Sequence, residues 1–238
     1  MKTKLFSTTT TSILAGLVLF SGCSQMPQNI DIGDKTKAGT AIGAAAGAVL
    51  GNIIGKDTKG TVTGGAIGSV IGGVIGYNMD KQAAEIAKTL ETVVDTSPNA
   101  EATSDSDIIV TKNDRFVKIT FRDKMMFPTN SAALTSTASY KVNKLTNVLR
   151  NYPQSIVQIV GHTDNRGSHS HNLTLSQKRS RGVATLIRNS GVQNRVLESG
   201  CSFDKPVAPN TTSHNMDLNR RVEVFLYPSE NFVVNQCI

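Results

Sequence analysis

Ten glycines recur in steps of four, and no other feature of the chain narrows its folding so far. Gly39, Gly43, Gly47, Gly51 and Gly55 form one series; Gly60, Gly64, Gly68, Gly72 and Gly76 form a second. A glycine inside a helix costs roughly 1 kcal/mol relative to alanine, so so many at helical spacing need a packing reason. On a helix each four-residue step drifts by about 40°, which winds a glycine stripe slowly round the axis. Backbones approach closely along such a stripe, as in small-xxx-small helix packing. Ala, Ile, Val and Leu fill most intervening positions, and the charged turn Lys56-Asp57-Thr58-Lys59 separates the series. The expectation is a helical hairpin. Each apolar arm has about 16 residues, or roughly 24 Å of helix, against a bilayer core of about 30 Å. Self-association through the stripe is favoured, and insertion is left open; a hairpin packed only on itself is the bland alternative.

Beyond the glycines, Ala83, Ile86, Leu90 and Val93–Val94 keep near-helical spacing within 77–94. The polar, acidic stretch that follows contains Pro98 and reads as a linker over 95–106, with a domain boundary near residue 105. The period then switches to two. Residues 108–111 and 115–121 alternate like a hairpin about Lys112-Asn113-Asp114. A helix is expected from about Leu134 to Arg150, closed off by Pro153, and a buried strand over 155–162. A second helix over 171–189 ends at Gly191; a short strand over 195–200, a loop, and a final strand over 220–228 complete the chain, with 229–238 as a tail. Strands alternating with helices predict a two-layer α+β domain over 107–228.

Asp164 lies in a glycine-containing turn after the apolar run Ser155–Val160, and Arg179 follows on the second helix. A carboxylate and a guanidinium held apart at fixed distance suit a zwitterion, one taking an ammonium and the other gripping a carboxylate as a fork. With Leu175 at zero on a helical wheel, Leu186, Val183 and Ile187 define an apolar sector near 20–120°. Arg179 and Asn172 fall inside it, at about 40° and 60°. A charge aimed at a core is costly unless paired. Asp164 is the nearest plausible partner, so a purely structural Arg179–Asp164 bridge stands level with a binding role.

The N-terminus is a targeting segment. Lys2 and Lys4 precede an apolar run, Ile13 to Phe20, too short to span a bilayer. The following Ser21-Gly22-Cys23 resembles a bacterial lipobox, which implies a signal peptide over 1–22, lipidation of Cys23 and a tether over 23–38. Ser24, in place of the aspartate that retains such proteins at the inner membrane, implies the outer membrane. One acyl chain anchors marginally and several anchor firmly. Cys201 and Cys237 then remain, as a periplasmic disulfide or as two free thiols. The 25 basic residues less Lys2 and Lys4 leave 23 against 18 acids, a net +5. That excess fits an anionic envelope surface. No Lys/Arg stripe interleaved with aromatics argues for nucleic acid.

The stretch Gly161–Val183 (GHTDNRGSHSHNLTLSQKRSRGV), with the later Asn219–Glu223 (NRRVE), resembles the OmpA-like peptidoglycan-binding domain. Its pattern is a Thr-Asp turn, a glycine, an N-x-x-L-S-x-x-R helix and NRRVE, all present in order across roughly 107–228. The glycine repeats resemble glycine-zipper domains, and the whole chain resembles glycine-zipper outer-membrane lipoproteins. The resemblance implies a mixed sheet with helices on one face, preceded by a helical hairpin over 39–94. It implies a lipid-anchored protein of the outer membrane with its C-terminal domain in the periplasm, binding the diaminopimelate of the peptidoglycan stem peptide. Asp164 would take the ammonium and Arg179 the carboxylate, assisted by Asn172, Thr163 and Arg221. One departure stands out: Pro128 occupies a place where the family often has an acid or amide, and Pro128 has neither side-chain acceptor nor N–H. Thr129 or Asn130 is the expected substitute.

His162, Asp164, His169 and His171 could gather a metal, but His-x-His in a polar turn reads first as a solvated loop. Neither a G-x-S-x-G elbow nor an H-E-x-x-H helix is present, so no enzyme, cofactor or metal is expected. The expected function is a non-covalent tether between outer membrane and cell wall. The alternative is a homo-oligomeric structural or pore component, assembled through the zippers, with the wall domain only as anchor.

Overall fold

The computed structural model describes Gly76 and residues 78–238. The signal peptide, Cys23, the tether and the glycine hairpin expected before Gly76 lie outside the described residues. Five strands form one sheet: β1 (Ile108–Lys112), β2 (Val117–Arg122), β3 (Ile156–His162), β4 (Val196–Gly200) and β5 (Arg221–Tyr227). Their order is β1-β2-β5-β3-β4. Only β3 and β4 pair in parallel, as the connection through a helix requires; the other neighbours are antiparallel.

The helices are α1, whose described part runs 78–90, α2 (Ala100–Thr103), α3 (Asp123–Met126), α4 (Ser136–Leu149), α5 (His169–Asn189) and α6 (Ser213–Asn219). Local chemistry explains the long ones. Thr135 caps α4 by accepting from Ala138 N–H, and Ser168 caps α5 by accepting from His171 N–H. Gly191, at φ +78°, turns the chain out of α5. No helix among the described residues is long and apolar enough to cross a membrane.

Strand alternation divides the core into two layers. Val157, Ile159, Val222, Val224 and Leu226 face the helices, packing with Val142, Leu145 and Leu149 of α4 and Val183 and Ile187 of α5. Ile156, Val160, Phe225 and Tyr227 face the opposite side, where Phe232 and Val233 of the tail cover them. This is the mixed sheet that the sequence implies, with the long helices α4 and α5 on one face; the short α2 meets the other face at Lys118 and Thr120. Two glycines let α5 lie close: a Cβ on Gly161 would stand 2.2 Å from Ser176 O, and one on Gly200 2.4 Å from Gln177 N.

The boundary expected near residue 105 moves upstream. Met79, Ala83, Ile86, Ala87 and Leu90 of α1 are buried in the main core. The stretch read as a linker over 95–106 is also docked. Val94 bridges Val110, and Asp95 N–H donates to Val110 O at 2.8 Å. Glu101 of α2 meets Lys118 at 2.6 Å and accepts from the Thr120 hydroxyl. Arg122 donates to the carbonyls of Glu101 and Ser104, at 2.5 and 3.1 Å. Polar composition is compatible with either state; here buried charges on the sheet face give these residues partners.

Cys201 and Cys237 form a disulfide across a sequence separation of 36. The bond pins the tail over the second layer, where Gln236 also donates to the Tyr227 hydroxyl at 2.7 Å. Closing a loop of that length removes about 3–4 kcal/mol of unfolded-chain entropy. Cys237→Ser is expected to lower stability by about 2–4 kcal/mol. Urea unfolding with and without reductant checks this: reductant should lower the wild-type midpoint to the variant's and leave the variant unmoved.

Candidate functional site

The ends of β2 and β3 and the start of β5 meet at one end of the sheet, where Arg122 and His162 both pair with Arg221 in register. One residue further along, Asp123 N–H donates to Arg220 O at 3.0 Å. Asp164 sits in the β3–α5 loop just beyond. Gly167, at φ +92°, makes the turn that L-residues resist. Asn172 of α5 fastens that loop by donating to Arg166 O at 2.9 Å.

Asp164 is 4% exposed and fully engaged. Its Oδ1 accepts from Arg166 N–H at 3.0 Å. Its Oδ2 accepts from Arg166 Nε at 3.0 Å, from Arg166 Nη2 at 2.7 Å and from Arg220 Nη1 at 2.6 Å. Burial pushes this carboxyl up, but the hydrogen bonds from Arg166 and Arg220 outweigh it and hold it below the usual carboxylate range. Asp164 is therefore an anion at neutral pH.

Arg179 does not pair with Asp164. Its Nη1 lies 2.8 Å from Asp123 Oδ1, its Nε donates to Ser131 O at 3.0 Å, and its guanidinium lies 4.9 Å from the Phe127 ring centroid. Arg220 joins the two halves, with Nε 3.9 Å from Asp123 Oδ2. The result is a chain of alternating charge: Asp164, Arg220, Asp123, Arg179. Burial pushes the Asp123 carboxyl up and the negative Asp164 adds to this, while Arg179 and Arg220 pull it down without fully compensating. An acid and a base are thus held apart, each with its own counter-ion, rather than neutralising one another directly.

The other sequence-named residues divide. Thr163 is buried beside Asp164; its N–H donates to Ser202 O, and its Oγ1 has no hydrogen-bond partner among the described residues. Arg221 is directed elsewhere: its Nε bonds Glu223 Oε1 at 2.8 Å and its Nη atoms bond the carbonyls of Asn219 and Lys205. Its neighbour Arg220 is the arginine of NRRVE that meets Asp164. The reason is the period of two: a single step along β5 turns a side chain to the other face. His162 also leaves the site, pairing with Glu223 at 3.2 Å, while His169 pairs with Asp204 at 3.0 Å. Among the described residues no group of His, Cys, Asp or Glu is arranged to hold a metal.

Pro128 has a structural part. Its carbonyl accepts from Ser131 N–H at 3.0 Å, closing a turn in which Asn130 adopts φ +55°. That turn presents Ser131 O to Arg179. Neither Thr129 nor Asn130 contributes a hydrogen bond to Arg179; the acid beside it is Asp123. Asp123 carried no local signal in the sequence, because its role depends on the end of β2 reaching α5. Arg220 was within reach of strand alternation applied to NRRVE.

Comparison with known proteins places these features. Residues 1–80 match the YMGG-like Gly-zipper family and residues 126–220 match the OmpA family. The chain is similar to "Probable lipoprotein YiaD" of Escherichia coli (strain K12), 31% identical over 51% of this chain and 56% of that protein. It is likewise similar to the peptidoglycan-associated lipoprotein of Buchnera aphidicola subsp. Baizongia pistaciae (strain Bp), 31% identical over 42% of this chain and 58% of that one. The matches thus span little more than half the length of these relatives. A MotB-like protein from Desulfovibrio vulgaris shares the fold, with a TM-score of 0.52 at 18% identity over 66% of this chain and 96% of that chain. The chain carries a YMGG-like Gly-zipper segment followed by a domain of the OmpA family.

Proposed function

We propose that this chain is an outer-membrane lipoprotein, anchored through Cys23, whose C-terminal domain holds peptidoglycan without covalent chemistry. The ligand is the zwitterionic end of diaminopimelate in the stem peptide. Asp164 receives its ammonium and Arg179 its carboxylate; Arg220 and Asp123 keep the two receptors charged and apart, and Asn172 holds the loop that carries Asp164. The observation that carries this reading is the separation of Asp164 and Arg179 by an intervening ion pair at one end of the sheet. A direct Asp164–Arg179 bridge would have left no span between the two groups for a zwitterion to fill. Arg179 Nη2 makes no hydrogen bond among the described residues, so the fork retains a donor for a ligand oxygen. The names of the relatives support the same reading, since one is a peptidoglycan-associated lipoprotein.

The test is co-sedimentation of the full chain, in detergent, with isolated peptidoglycan. Asp164→Asn removes the charge with little change of shape. Arg179→Lys keeps a cation opposite Asp123 but loses the fork and the flat stack on Phe127. Each is expected to weaken binding by about 10- to 100-fold, as loss of a charge-assisted hydrogen bond does. Thermal melting confirms that the variants are folded. Folded variants that pellet like wild type would place the ligand site elsewhere.

A further inference from the structure

The carboxylate assigned to the ligand's ammonium is already covered, and the groups covering it differ in how firmly they are held. Arg220 is 24% exposed and also bonds Asp217 and approaches Asp123. Arg166 differs on each count. Its side chain is 64% exposed, and its Nε and Nη2 make hydrogen bonds to Asp164 Oδ2 alone. The backbone of Arg166, by contrast, is fixed independently: its N–H donates to Asp164 Oδ1 and its carbonyl accepts from Asn172.

We propose that Arg166 is a built-in competitor for the ammonium group: its guanidinium occupies Asp164 when the site is empty and must swing into solvent before a ligand's ammonium reaches that carboxylate. This rests on the reading of Asp164 given above. Arg166 supplies the same chemistry as the ligand, a cation donating to Oδ2, from a tether two residues away. Its exposure lets it leave without disturbing the core. The apparent affinity for the ligand is lowered by the fraction of molecules in which Arg166 is seated. The arrangement also filters ligands: a group lacking a cation gains nothing from Asp164 that would offset the displaced guanidinium.

The experiment measures binding of a soluble disaccharide-tetrapeptide carrying diaminopimelate to the full chain, by calorimetry, for wild type, Arg166→Ala and Asp164→Asn. A second probe is the same muropeptide with the diaminopimelate amine acetylated. Arg166→Ala retains the backbone bonds that shape the loop, so it should tighten the free-amine probe by about three- to fivefold, the range of a half-exposed ion pair. The acetylated probe should show no gain. An unchanged affinity would overturn the proposal, and so would a weaker one, which would make Arg166 a ligand contact. An equal gain for both probes would also overturn it, because the effect would not concern the ammonium. If Asp164→Asn binds the free-amine probe like wild type, the reading of the site itself fails, whatever Arg166→Ala does.

Discussion

A chain cut at residue 105, where composition alone would start the domain, is expected to be poorly stable, whereas one beginning at Gly76 should fold. Met79, Ile86 and Leu90 are at most 3% exposed, against the same core as β2, β3 and β5. Burying such a side chain contributes about 1.5–3 kcal/mol. Three of them therefore rival the whole stability of a typical domain, about 5–15 kcal/mol. Helix ordering offsets part of this, so the point variants give the cleaner number. Leu90→Ala should cost about 2–5 kcal/mol, or roughly 2–4 °C in Tm for each kcal/mol at this size. Polar contacts hold α1 in the same place: Gln82 donates to Ser155 Oγ at 3.2 Å, and Tyr152 donates to Glu85 at 2.9 Å. Equal melting temperatures for the two fragments, with a Leu90→Ala change near zero, would show that α1 is an appendage. Fragments used to test peptidoglycan binding should accordingly keep residues 76–94.

Gly161→Ala is expected to damage fold and site together. The new Cβ would lie 2.2 Å from Ser176 O and 3.0 Å from Ser176 C. Those are backbone atoms inside α5, so no side chain can rotate aside, and the helix must lift from β3. Overpacking usually costs about 1–3 kcal/mol, and a clash with fixed backbone belongs at or above the top of that range. The same helix carries Asn172 and Arg179, which hold the Asp164 loop and meet Asp123. Binding to peptidoglycan should fall along with the urea midpoint. A melt within about 1 °C of wild type would mean that α5 accommodates the methyl, and the close-packing argument would fail.

Much of this architecture is legible in the chain. The switch from a four-residue period to a two-residue one marks where sheet begins; β1 and β2 fall where alternation puts them, and β3, β4 and β5 fall within the strands expected over 155–162, 195–200 and 220–228. The helices α4 and α5 begin at Thr135 and Ser168, residues whose side chains accept from the first turn. The short α3 and α6 are not legible in the sequence, because the four residues of Asp123–Met126 and the seven of Ser213–Asn219 are too few for a period to register. The docked stretch 95–106 has the composition of a linker because polar residues find partners in water and on a charged sheet face alike.

Within the site, local spacing alone places an arginine on the inner side of α5 and an aspartate in the turn before it. Helical and turn geometry are local, and local spacing is enough to set them. Which acid would answer Arg179 was decided only in three dimensions. The end of β2 brings Asp123 against α5, and the phase of β5 turns Arg221 away and leaves Arg220 beside Asp164. Electrostatic pairing depends on distances between backbones that are remote in sequence, and those distances are set by how the sheet and helices pack. The same holds for α1 and for the tail joined through Cys201 and Cys237: their apolar residues are visible in the chain, but the faces they cover exist only once the sheet has formed.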